Sequence, residues 1–261
     1  MNIIDLNEKH HPAYFHCLEG WSDDMKESGN RKSVWFEKMK EKGLRVKLAV
    51  DDNDNAVGMI QYIPIEHSHV EGKDLFFIYC IWVHGHKQGA GNCQKKGIGS
   101  ALLEAAEADA RERGAKGISA WGLALPFWMK ASWFKKHGYL KADRIGLLTL
   151  MWKPFSENAV APAWIRPKTV PDNEPGNVTV TSFVNGWCPM QNLAYERTKR
   201  ASEEFGDKVV FREINTSDRE RFVYYGISDG IFIDGKELRF GRAPSYEKIR
   251  KAIEKKVLKL R

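Results

Sequence analysis

The sequence predicts an α/β protein of the α+β kind, built in two parts, and three stretches carry that prediction. "LFFIYCIWV" (75–83) is a nearly unbroken apolar run of strand length, rich in aromatic and β-branched residues. "QKKGIGSALL" (94–103) sets two glycines directly before an alanine-rich helix. "SENAVAPAWIRPKTVPDNEPGN" (156–177) has four prolines and little periodicity, and divides the chain.

The first third carries no motif that resolves its elements. After the 75–83 strand and its glycine loop, Ser100–Arg113 reads as a helix. Leu102, Leu103, Ala106 and Ala110 share its apolar face, and Glu107/Arg111 and Asp109/Arg113 form i,i+4 pairs on the other. Gly114 closes it as a C-cap. "GISAWGL" (117–123) predicts a strand, "FWMKASWFKKHGY" (127–139) a helix closed by glycine, and "IGLLTLMW" (145–152) one last strand. Past the proline-rich stretch, "VTVTSFV" (178–184) is a strand and "NGWCPMQN" opens a helix to about Phe205. "KVVFREI" (208–214) is a strand, and Asp218–Tyr224 a short helix. "GIFID" and "ELRFG" make a hairpin turning at Asp234-Gly235, and a basic helix follows.

Composition excludes several classes. No run approaches 18 apolar residues, and "MNIIDLNEKHH" lacks the basic start and apolar core of a signal peptide, so no membrane partner and a cytoplasmic location are expected. Cys17, Cys80, Cys93 and Cys188 are scattered without a C-x-x-C, which predicts reduced thiols. Of the net charge of +7, residues 244–261 carry +5, on a helix whose Ile249, Ile253, Val257 and Leu260 form an apolar stripe beneath the charges. That is a solvated helix face. With neither an RNA-binding aromatic signature nor a helix-turn-helix pattern, nucleic acid is not expected as a partner.

The glycine loop carries the chemistry. A helix start leaves its first N–H groups unpartnered and partially positive, which favours an anion. Gly97 and Gly99 let the backbone approach it, and Lys95 and Lys96 add charge at its edge. A nucleotide P-loop fails because no Lys-Ser/Thr follows, and a dinucleotide fingerprint fails because Leu102 stands where its third glycine belongs. What remains, Q-x-x-G-x-G before a helix, resembles the pyrophosphate loop of the GNAT superfamily of acetyl-CoA-dependent N-acyltransferases, over residues 1–155. The resemblance implies the GNAT fold with a mixed central sheet.

The second part, in its β-α-β-α-β-β-α order, resembles thioredoxin, with Trp187-Cys188-Pro189 at the position of the active cysteine. Gln191 stands where the second cysteine would be, and "GISDG" where a proline usually faces the first, so dithiol chemistry is not expected. Cys188 before a helix remains a possible reactive thiol. The pairing of the two parts resembles the YoaP-type acetyltransferases of bacteria and archaea. This reading divides the chain into a GNAT domain (1–155), a linker (156–176) and a thioredoxin-like domain (177–261).

The GNAT resemblance implies acetyl-CoA as co-substrate, no metal, and a small amine as acceptor; the sequence leaves the choice between monomer and homodimer open. Backbone groups around Ile81 and Val83 would take the pantetheine arm. Gln94, Lys95, Lys96, Gly97, Ile98, Gly99 and Ser100 would hold the pyrophosphate, and Lys130, Trp133 and Phe134 would flank the arm's far side. The tyrosine that many family members use as general acid is absent, since Trp133-Phe134 precedes Gly138-Tyr139, and the usual acid early in the central strand is missing too. Tyr79, Cys80 and His84, nearest the strand end, are the candidates for proton transfer. Cys80, His84, His86 and Cys93 lack knuckle spacing for zinc, and "HGHKQGAGNCQ" (84–94) reads as a mobile loop over the cleft. Glu19, Trp21, Asp23 and Asp24 could attract a cation. The rival expectation is an acyl-CoA-binding or thiol-sensing regulatory protein without turnover.

Overall fold

In the computed structural model, which describes residues 1–125, 128–238 and 243–260, the chain divides into two units. The first comprises Met1–Trp21 and Phe36–Ile165, the second Ser22–Trp35 and Arg166–Arg261. In chain order the elements are β1 (Asn2–Asp5), α1 (His11–Phe15), α2 (Asp23–Glu27), α3 (Arg31–Lys40), β2 (Arg45–Val50), β3 (Ala56–Pro64), β4 (Val70–Glu71) and β5 (Leu75–Val83). There follow α4 (Ile98–Glu112), β6 (Gly117–Leu123), α5 (Ala131–Lys136), β7 (Leu140–Ile145), β8 (Leu148–Pro154) and β9 (Ala163–Trp164). The chain ends with β10 (Val178–Val184), α6 (Pro189–Glu203), β11 (Val209–Asn215), α7 (Arg219–Tyr225), β12 (Gly230–Ile233), β13 (Lys236–Glu237) and α8 (Tyr246–Val257).

Seven strands of the first unit form one sheet in the order β1-β2-β3-β5-β6-β8-β7. Only β5 and β6 run parallel in it, because a helix, α4, has to carry the chain between them, so the sheet is mixed. Leu102, Leu103, Ala106 and Ala110 of α4 are buried in one cluster with Ile60, Tyr62, Ile78 and Ile118, which is the apolar face that the helical spacing predicts. Each such Leu contributes about 1.5–3 kcal/mol on burial.

Two expectations need correction here. The single closing strand expected at 145–152 is a hairpin, β7 and β8, turning at Gly146 (φ +56°). β7, "LKADRI", is half-exposed with no fully buried residue and has no apolar alternation to reveal it. The helix expected at 127–139 is the shorter α5; Phe127 lies outside the described residues.

In the second unit β10 is central, parallel to β11 and antiparallel to β12, in the order β11-β10-β12-β13. Ile249 and Ile253 of α8 are fully buried against Val178, Val180, Ile231 and Ile233, with Val257 and Leu260 packed at the edge, so the predicted stripe faces the core. Arg239–Gly241 of the expected hairpin lie outside the described residues. The segment 22–35 joins this unit through charge. Arg197 on α6 donates to Glu27 (2.7 Å) and Asp24 (2.8 Å), and Arg31 Nε donates to Glu196 (2.8 Å). Gly186 (φ +88°) lets Trp35 approach, since a Cβ there would lie 2.9 Å from that of Trp35. Asp24, expected to help attract a cation, is thus spent on Arg197, and Asp23 pairs with Lys26. No described helix is long and apolar enough to cross a membrane.

Candidate functional site

β5 begins as a partner of β6 and ends without one. The strands pair from Leu75↔Gly117 to Ile78↔Ala120, and among the described residues no strand pairs with Tyr79–Val83 on that side. The cause lies on the other edge, where β3 pairs Tyr62 with Ile78 but Gln61 with Cys80, leaving Tyr79 as an extra residue. Such a bulge sharpens local twist and turns a strand from its neighbour. It also resets parity, so that Ile78 and Ile81, three apart, both face the α4 core. Trp121 Nε1 donates to the Tyr79 carbonyl at 2.7 Å, at the base of the fork.

Beside the open end of β5 sits the start of α4. Gly97 is its N-cap in the left-handed region (φ +79°), no side chain caps the helix, and Lys95 is left-handed as well (φ +62°). The first intrahelical bond is Ala101 N–H to the Gly97 carbonyl, 3.1 Å, so the N–H groups of Ile98, Gly99 and Ser100 have no carbonyl one turn back. The first turn holds no acid, and Lys95 and Lys96 are exposed. A Cβ on Gly99 would touch Trp133 Cζ2 (3.5 Å) and Val83 Cγ2 (3.8 Å), which places α5 and the end of β5 both against that turn. Ser100 Oγ lies 2.9 Å from His137 Nε2, and His137 Nδ1 lies 2.9 Å from the Trp133 carbonyl. A carbonyl only accepts, so Nδ1 carries the hydrogen, and in the neutral ring Ser100 donates to Nε2. This ties α5 to the cradle.

Cys80 and Trp82 turn to the face away from α4, where α1 lies. Tyr14 is fully buried there and donates to Gln61 Oε1 at 2.7 Å. Burial, then the nearby Cys17 and Cys80 thiols, push its hydroxyl well above the usual range. His84 is also fully buried. Its N–H donates to the Val57 carbonyl (2.9 Å), its carbonyl accepts from Cys93 N–H (2.9 Å), and its Nδ1 faces the Gly91 carbonyl at 2.7 Å. Trp21 Nε1 donates to its Nε2 at 3.4 Å. The 84–94 loop, expected to be mobile, is therefore wrapped around a buried histidine. His86 stays half-exposed, with Glu19 Oε1 3.3 Å from its Nε2 and the rings of Trp21 (5.3 Å) and Trp82 (6.2 Å) beside it. Among the described residues no group of three or more His, Cys, Asp or Glu could hold a metal ion.

In the second unit Cys188 is the N-cap of α6, with Pro189 at its first position. Asn185 accepts from Trp187 N–H (3.1 Å) and donates to Asp229 Oδ2 (3.2 Å), and Ser228 Oγ donates to the same oxygen at 2.7 Å. Burial raises the Asp229 carboxyl above its ordinary range, against the lowering effect of hydrogen bonds from Ser228, Asn185 and Gln191. The side chain at the second-cysteine position is thus a partner of the acid in "GISDG".

Residues 4–131 match the sequence profile of the Acetyltransferase (GNAT) family. That stretch is a GNAT acetyltransferase domain. Its fold is similar to an acetyltransferase of the GNAT family from Staphylococcus aureus Mu50, at 14% identity over 59% of this chain and 99% of that one, with a TM-score of 0.44. It is also similar to a GNAT family acetyltransferase from Brucella melitensis in complex with acetyl-CoA, at 15% identity over 62% of this chain and 94% of that one, TM-score 0.42. A separate likeness, 37% identity over 79 residues, is to a probable thioredoxin of Methanothermobacter thermautotrophicus and covers 29% of this chain and 92% of the relative.

Within the GNAT domain the sequence-predicted residues fall into distinct places. Lys95, Lys96, Gly97, Gly99 and Ser100 gather at the cradle, where Ile98 offers its N–H while its side chain is buried in the core. Gln94 Nε2 reaches back to the Val83 carbonyl at 3.3 Å, and Ile81 packs on the α4 side. Trp133 flanks the cradle and Lys130 is the exposed N-cap of α5, but Phe134 is fully buried between Trp133 and Tyr139 and belongs to the core. Of the proton-transfer candidates, Tyr79 is buried with its hydroxyl donating to the His67 carbonyl (3.3 Å), Cys80 is buried opposite Gln61, and His84 organises the loop. In the sequence His86 stands out only beside Cys80, His84 and Cys93; no spacing rule links it to Glu19, 67 positions away in the chain.

Proposed function

We propose that this chain transfers the acetyl group of acetyl-CoA to a primary amine on a small acceptor. The observation that carries the reading is the fork between β5 and β6, with the uncapped start of α4 at its mouth. When bound, acetyl-CoA supplies an activated acyl thioester. The N–H groups of Ile98, Gly99 and Ser100, with Lys95 and Lys96, would hold its diphosphate, and the edge of β5 at Ile81 to Val83, where Gln94 already takes the Val83 carbonyl, would hold the amide-bearing arm through its remaining main-chain groups as a neighbouring strand would. The donor set fits the group: its main-chain N–H groups are left unused by the helix, and no acid lies in the first turn. The α1 face of β5 is left for the acceptor, so the amine and the acyl carbon meet through the gap, and the rate gain comes chiefly from holding them together. A cytoplasmic setting belongs to this reading, supported by four cysteines that are all thiols.

The test is the melting temperature with acetyl-CoA, CoA and NADH. Ligand at about 100 times its dissociation constant adds roughly 2.7 kcal/mol to stability. A shift with both CoA species and none with NADH is expected; no shift with either CoA species rejects the reading. A second reading, an acyl-CoA-binding or thiol-sensing protein without turnover, draws on Cys188 at a helix start and on the buried Phe134 in place of a hydroxyl. Amine-dependent CoA release above the no-amine rate rejects it.

A further inference from the structure

A reaction of this kind needs a neutral amine, and at neutral pH an alkylamine is an ammonium ion. Some group on the acceptor side has to take its proton. Most basic or acidic atoms on that face are already committed: Tyr79 to the His67 carbonyl, Tyr14 to Gln61, and both ring nitrogens of His84 to Gly91 and Trp21. His86 differs. Its side chain is 43% exposed, and its Nδ1 makes no hydrogen bond among the described residues. The Glu19 carboxylate, only 18% exposed, lies 3.3 Å from Nε2. A carboxylate there favours hydrogen on Nε2, which leaves the lone pair on Nδ1 open to the acceptor. Trp21 and Trp82 stand beside the ring, and aromatic faces next to a carboxylate attract a cation.

Resting on the acetyltransferase reading, we infer that Glu19, Trp21, Trp82 and His86 form the acceptor site for an alkylammonium ion, with His86 Nδ1 as the general base. The ammonium gives one proton to Nδ1. Its freed lone pair forms the C–N bond to the acyl carbon as the C–S bond breaks, the second nitrogen proton ends on the departing sulfur, and His86 returns its proton to solvent. Charged and titratable groups at His86 are Glu19 and His84 in contact with it and Lys87 next in the chain.

The test uses the full chain with n-butylamine, putrescine and phenethylamine as probes, reading CoA release across pH and the acetyl-CoA melting shift. His86→Ala is expected to keep the acetyl-CoA shift and to lose about 100-fold or more in kcat/KM near neutral pH. That deficit should shrink as pH rises towards and past the alkylamine pKa of about 10.4, where a growing share of the amine is neutral without help. A merely structural loss would not follow the amine's own titration. Glu19→Gln, which keeps the shape of the side chain, should lose less in the same direction. Wild-type activity in His86→Ala at neutral pH, or a deficit equal at neutral and alkaline pH, overturns the inference. Should His86→Ala lose the acetyl-CoA shift, Glu19→Gln carries the test, and its equality with wild type at every pH overturns it. A wild-type protein that shifts with acetyl-CoA yet releases CoA with none of the three amines overturns this inference alone, whereas no shift overturns the acetyltransferase reading.

Discussion

Replacing Gly97 separates backbone shape from charge at the cradle. A Cβ at this position meets nothing within 4 Å, so Gly97→Ala costs only what a side chain costs in the left-handed region, about 1–2 kcal/mol. For a protein of this size that is about 2–4 °C in Tm per kcal/mol. Gly97→Asp carries a similar backbone cost, since Asp tolerates that region best after Gly and Asn, but it sets a carboxylate beside the N–H groups of Ile98, Gly99 and Ser100. Two unit charges 4 Å apart at an effective dielectric of 20 repel by about 4 kcal/mol. The cradle is open to solvent, and screening leaves roughly half, about 2 kcal/mol or some 30-fold in affinity for each phosphate charge met. The assay is titration calorimetry with acetyl-CoA on both variants, with circular dichroism to show that each is folded. Gly97→Ala should bind within a few-fold of wild type and Gly97→Asp at least about 30-fold more weakly. Equal affinity in a folded Gly97→Asp would refute the placement of the diphosphate.

Three further outcomes follow from the packing. Phe134→Ala should lower the stability of the first unit by about 3–5 kcal/mol in urea, because the ring is fully buried; a loss under 1 kcal/mol would mean the side chain is not core. Burial would raise the Asp109 carboxyl, but hydrogen bonds from Arg113, Tyr62 and Arg45 hold it below its ordinary value. Its stabilising share is therefore present above the unfolded carboxylate pKa of about 4 and is lost as pH falls through the lower folded value. Asp109→Asn should thus be about 1–3 kcal/mol less stable than wild type at neutral pH, and the gap should close in acid; a gap constant with pH contradicts this. Arg197→Ala, removing the donor to Asp24 and Glu27, should cost the second unit about 1–3 kcal/mol and speed amide exchange across α2, and unchanged exchange there would mean the segment is held otherwise.

Local chemistry made much of this legible in the sequence. Gly97 and Gly99 before an alanine-rich helix have one economical use, because the unpartnered N–H groups of a helix start are fixed by chain order and need no distant residue to exist. The stripe on α8 and the apolar face of α4 were readable for the same reason, since helical periodicity is local. β7 was not, because a half-exposed edge strand imposes no alternation. His84 opens a stretch that reads as a mobile loop, yet it is the buried centre of that loop; only the closing of Gly91 and Cys93 around it, with Trp21 from far earlier in the chain, removes it from water. The sequence by itself determined the glycine-led start of α4, the helix faces and the order of most elements after residue 75, all of which rest on interactions spanning a few residues. Tertiary structure alone decided the fork at Tyr79, the capture of residues 22–35 by Arg197 and Glu196, and the meeting of Glu19 with His86. Each depends on groups distant in the chain, and their proximity is set by how the sheet twists and packs, which no local pattern encodes.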